Sequence, residues 1–108
     1  MTPFEFGDVI LIRFPFTNQN DAKQRPAVVV SNRTYNETMP DVIAMAITSV
    51  MDAQSVEVVD WKEAGLLRPS VFKPIFATFE QTLIRRRLGA LSERDRAALR
   101  TVIRDALG

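Results

Sequence analysis

The chain has 108 residues, 46% of them hydrophobic and 25% charged, so it fits one domain (1–108) and is too apolar to be disordered. It has no Cys and no His, which excludes disulfides, thiolate or imidazole metal sites, and any triad built on imidazole. The net charge is only +1, so no whole-molecule field announces a polyanion.

The kind of charge says more. Eleven of the 14 basic residues are Arg, the better bidentate phosphate reader, although GC-rich coding produces the same skew. The acids show no clustered ligand spacing, so no metal or cofactor is expected. There is no basic-then-apolar leader and no long apolar run, so the expectation is a cytoplasmic chain without a membrane span.

In chain order, Gly7-Asp8 signals a turn. Val9 to Phe14 is an apolar run of strand length, which Pro15 ends. Thr17 to Asp21 is a polar loop reaching Lys23-Gln24, and Ala27 to Val30 reads as a buried strand. Ser31-Asn32 can cap a short helix over Arg33 to Glu37. Val42 to Ile47 is a third strand, ending in the hydroxyl pair Thr48-Ser49, and Ser55 to Val59 is a fourth. Asp60 to Gly65 reads as one helical turn, with Asp60 as N-cap, Glu63 at the capping-box position and Gly65 as C-cap. Pro69 and Pro74 bracket a short edge or bulged strand, Ser70 to Lys73, and Ile75 to Phe79 is another strand. Glu80-Gln81 and the triplet Arg85-Arg86-Arg87 follow. Ser92 caps an amphipathic helix over Glu93 to Leu107, with Leu99, Val102, Ile103 and Ala106 on its apolar face. Five or six short strands and one terminal helix predict a mainly β chain with helices (α+β). The sheet is small, antiparallel and strongly bent, or a barrel, with the helix over its open side.

One corner carries candidate chemistry. Pro26 fixes its own φ and pushes Arg25 into extended geometry, so Arg25 stands where a loop meets a rigid strand. A guanidinium held there is a permanently charged, five-donor fork suited to phosphate. On local residues alone, the commoner role is pairing with an acid at a strand end. Thr48 and Ser49 are suited to an anion or are a plain strand-ending turn.

Four stretches then stand in order: Gly7-Asp8-Val9-Ile10 with Phe14-Pro15-Phe16-Thr17; Arg25 to Ser31; Ala46-Ile47-Thr48-Ser49; and Leu83 to Gly89 with Leu91-Ser92 and the helix. Together they resemble the PemK/MazF family of toxins from type II toxin–antitoxin systems, over essentially the whole chain. The resemblance implies an SH3-like antiparallel β-barrel with a C-terminal amphipathic helix. It implies a homodimer and a metal-independent endoribonuclease (an mRNA interferase, a hydrolase) acting on single-stranded RNA. It also implies a cognate antitoxin that blocks the RNA groove. It places the catalytic groups on Arg25 and Thr48, with Ser49 beside them. It makes Thr17, Asn18, Gln19, Asn20, Lys23 and Gln24 a substrate-covering loop and adds Glu80 and Gln81 as substrate-binding candidates. Gln24 stands where some relatives carry an acid, so no carboxylate base comes from that position. Two other readings stay open within the same fold: a gyrase poison of the CcdB type, and an inactive antitoxin-binding homologue.

Overall fold

Six strands pair into one antiparallel sheet in the computed structural model, which describes residues 3–13 and 24–108. They are β1 (Asp8–Ile12), β2 (Arg25–Val29), β3 (Asp41–Thr48), β4 (Val56–Glu57), β5 (Val71–Glu80) and β6 (Arg86–Ala90), ordered β4-β5-β3-β2-β1-β6. Among the described residues two α-helices, α1 (Arg33–Thr38) and α2 (Glu93–Leu107), and a 3-10 turn at Gln81–Leu83 complete the fold. The sheet curls into a half-barrel.

The apolar runs are nearly continuous because the central strands are buried on both faces. In register, Val9 lies opposite Val28 and Val28 opposite Met45, and this row faces Leu99 and the rest of the α2 core. The alternate row, Ile10–Ala27–Ala46, belongs to a second core with Ile12, Val29, Val42 and Phe79. Helix α2 starts where its cap dictates: the Ser92 side chain accepts from the Asp95 backbone N–H. Ala98, Leu99, Val102 and Ile103 turn one face onto the sheet. Helix α1 is capped by Asn32, whose Oδ1 accepts from Tyr35 N at 2.9 Å.

Several boundaries differ from the sequence expectation, each for a local reason. The first strand ends at Ile12, and Phe14 to Lys23 lie outside the described residues. The fourth strand shrinks to Val56–Glu57, with Val58 continuing through a backbone bond to Ser70. The two strands expected around Pro74 are one strand, β5. Met45 pairs with Phe76 and Ala46 with Lys73, so Pro74 and Ile75 fall in a bulge and no ladder hydrogen bond is asked of the proline. The arginine triplet runs into a strand, β6, that its charge conceals.

Asp60 to Gly65 forms a hydrogen-bonded turn closed by Ala64 N to Asp60 O at 3.1 Å and Leu66 N to Trp61 O at 3.0 Å, with Gly65 at φ +84°. The Asp60 carboxylate does not cap it. It accepts instead from Ser92 Oγ at 2.6 Å and from Arg94 Nη2 at 2.6 Å. Asp95, fully buried, accepts from Val59 N at 2.9 Å and Asp60 N at 2.8 Å. These bonds staple the turn to the start of α2. On its other side the turn seats against β6, where Gly65 and Gly89 allow two backbones to touch.

Candidate active site

Arg25 opens β2, opposite Ile12 of β1, and the next residue, Pro26, lies opposite Leu11. Across the other edge of β2, Ala27 lies opposite Ala46 of β3. Counting two residues outward along each strand brings Arg25 level with Thr48. The guanidinium and the hydroxyl are therefore set by one stretch of sheet register, on strands roughly 5 Å apart.

Thr48 is half-buried at the end of β3, and its Oγ1 accepts from Val50 N at 3.1 Å. That bond fixes the side-chain oxygen and occupies a lone pair, leaving the hydroxyl proton available to donate. Ser49, next in the chain, is exposed. Among the described residues no acid pairs with Arg25.

A cleft of about 470 Å³ joins these groups. Gln24, Arg25, Thr48 and Ser49 all line it, over an apolar floor that includes Leu11, Pro26 and Ile47. The opposite wall is Gly65 to Arg68 with Ser70, and Arg86 and Leu88 complete it. Among the described residues no Asp or Glu lines this cleft, whereas three arginines do. A cation-rich cleft with hydroxyls from Thr48, Ser49 and Ser70 along it can hold a phosphate and stabilise negative charge that grows on its oxygens. Among the described residues no group of acids is arranged to hold a metal ion.

The sequence matches the model of the PemK-like, MazF-like toxin family of type II toxin–antitoxin systems over residues 5–107. The chain belongs to that family. Solved structures share the fold. MazF from Deinococcus radiodurans superposes with a TM-score of 0.77 at 22% identity, covering 100% of this chain and 99% of that one. A MazE–MazF structure from the same organism gives 0.79 at 21% identity, covering 100% and 98%. A mycobacterial endoribonuclease in complex with its cognate antitoxin gives 0.71 at 20% identity, covering 100% and 96%. No curated protein matches the sequence.

Within this PemK/MazF-like chain the other predicted site residues divide. Thr17, Asn18, Gln19, Asn20 and Lys23 lie outside the described residues. Glu80 pairs with Asp41, at the opposite end of β3 from Thr48, about 20 Å along the strand, so neither it nor Gln81 joins the cleft. The Gln81 amide is used within the fold: Nε2 donates to Asn36 O at 2.8 Å, Asp41 O at 3.1 Å and Met39 O at 3.2 Å. It satisfies carbonyls that the end of α1 would leave orphaned. Arg68 is the cleft cation that local sequence reading misses, and Arg86 is visible there only as part of the Arg85-Arg86-Arg87 triplet. The one signal for Arg68 is its Arg-Pro context, which it shares with Arg25.

Proposed function

We propose that this toxin-family chain is an endoribonuclease that cleaves single-stranded RNA without a metal ion, with Arg25 and Thr48 as catalytic residues. The observation that carries the reading is that Arg25, Thr48 and Ser49 line one cleft with no acid among its described residues. The 2′-hydroxyl attacks its own adjacent phosphorus, forming the O2′–P bond as the P–O5′ bond breaks. The 2′ proton passes to solvent and the leaving 5′-oxygen takes one up. The products are a 2′,3′-cyclic phosphate and a 5′-hydroxyl. Dependence on the 2′-hydroxyl also makes the reaction blind to DNA.

Charge accumulates on the non-bridging oxygens as the phosphorus becomes five-coordinate. On this reading Arg25 N–H groups and the Thr48 and Ser49 hydroxyls donate to those oxygens. Donors held in place before the reaction need no reorganisation during it, and one such donor is worth about 2.7–4 kcal/mol. Arg25, always charged, serves as the electrostatic stabiliser of those oxygens, and the leaving 5′-oxygen takes its proton from solvent. Gln24, on the cleft rim, is a substrate contact.

Antitoxin complexes among the similar structures support a cognate antitoxin as partner, and family membership supports a homodimer and a cytoplasmic site of action. Among the described residues no helix is long and apolar enough to cross a membrane. The gyrase-poison reading is not favoured, because the matching family model is the PemK/MazF one. The test is incubation of purified protein with single-stranded RNA in EDTA, followed by end mapping. Fragments with cyclic phosphate and 5′-hydroxyl ends support the reading, and intact RNA overturns it.

A further inference from the structure

Two cations of the cleft have no part in the reaction just described. Arg68 follows the 60–66 turn, and Arg86 opens β6 opposite Leu11. Among the described residues neither is paired with a carboxylate, although Arg33, Arg87 and Arg94 elsewhere all are. Strand alternation makes the difference within the triplet. Arg87 turns away to Asp8 at 3.1 Å and stacks on Phe4, while Arg86 lines the cleft.

The backbones of both residues are held. Pro69 restricts Arg68 to extended geometry, as Pro26 restricts Arg25, and Ser70 Oγ donates to the Arg68 carbonyl at 2.9 Å. Arg86 is pinned by the β1–β6 ladder. Its backbone lies two strands from that of Arg25, about 10 Å away, with Arg68 on the facing wall. Three arginines from three separate elements thus line one cleft. A phosphodiester carries one negative charge, so the scissile phosphate alone does not match them.

We propose that Arg68 and Arg86 bind the phosphodiesters flanking the scissile one, so that the cleft grips a run of single-stranded RNA backbone. This rests on the nuclease reading and names how that site holds its substrate. The two residues position the strand and set its affinity, and Arg25 and Thr48 act on the phosphorus.

The test measures binding of a fluorescein-labelled, randomised 2′-O-methyl RNA 20-mer, which cannot be cleaved, across a KCl series. Each phosphate contact in a single strand contributes about −0.7 to the slope of log K against log[KCl]. Arg68→Ala and Arg86→Ala should each make the slope shallower by about 0.7, and the double variant by about 1.4. Arg68→Lys and Arg86→Lys, which keep the charge, should restore most of it. Arg104→Gln, in the last turn of α2, should leave it unchanged. On cleavable RNA the alanine variants should raise KM and leave kcat within about twofold. Slopes equal to wild type in both alanine variants overturn the proposal, as does an equal loss in Arg104→Gln. If wild type binds with these slope changes yet cleaves nothing, the nuclease reading fails and the phosphate contacts stand. If it cleaves and the slopes do not move, the reverse holds.

Discussion

A Cβ on Gly65 would lie 2.1 Å from the carbonyl oxygen of Leu88. The contact is backbone on backbone, so neither side can yield by turning a side chain. A Cβ on Gly89 would in turn lie 2.6 Å from the carbonyl oxygen of Ala64. The two glycines interlock the 60–66 turn with β6, and that seam forms one wall of the cleft.

Gly65→Ala is accordingly expected to be severe. It places a side chain at φ +84°, which costs about 1–3 kcal/mol before the collision with Leu88 is counted. A fall in Tm of about 10 °C or more is the expected outcome in a thermal melt. Gly89→Ala has no positive φ to strain and should cost less. A Gly65→Ala melt within about 2 °C of wild type would contradict the close approach.

Asp95 supports a second prediction. Its carboxylate satisfies two backbone N–H groups, of Val59 and Asp60, from a fully buried position. Asp95→Ala leaves both without an acceptor and should cost about 3 kcal/mol in urea unfolding. Asp95→Asn keeps one acceptor oxygen and should fall between. An alanine variant as stable as wild type would remove Asp95 as the staple between turn and helix.

The acid limb of stability separates two carboxylates. Hydrogen bonds from Arg94 and then Ser92 hold Asp60 at a pKa of about 2, below its usual 3.8. Its contribution is present above pH 3.8 and is lost as pH falls toward 2. Asp8 runs the other way. Burial pushes its pKa up from 3.8 despite a backbone N–H from Glu5 and the charge of Arg87. The folded state therefore holds that proton longer, and stability declines as pH rises through the Asp8 window above 3.8. Asp60→Asn should flatten the urea midpoint between about pH 4 and 2, and Asp8→Asn should steepen its rise just above pH 4. Unchanged profiles in both variants would contradict these assignments.

Locally encoded features were legible in the chain. Ser92 starts α2 and Asn32 caps α1 because a cap and its N–H partner lie within three residues. Features decided by distant partners were not. Asp60 carries a good capping signal, yet Ser92 and Arg94, more than thirty residues on, claim its carboxylate. Pro74 signals a break, but the β3–β5 bulge absorbs it within one strand. Gln81 looks like a site residue and turns out to tie α1 to β3, which no local pattern announces. The site divides the same way. Arg25-Pro26 marks a rigid cation from sequence alone, but its pairing with Thr48 depends on β2–β3 register between residues 23 apart. Arg68 and Arg86 reach the cleft only through the closure of the turn onto β6.

In the proposed reaction the Arg25 guanidinium and the Thr48 hydroxyl act together on one phosphorus. The most direct test is the rate of RNA cleavage in EDTA by wild type, Arg25→Ala, Thr48→Val and the double variant, with Tm measured alongside. The expected losses in kcat are on the order of 10²–10³-fold for Arg25→Ala, smaller for Thr48→Val, and less than the product of the two in the double variant. Tm should stay within about 2 °C of wild type. Undiminished cleavage by folded Arg25→Ala would contradict it.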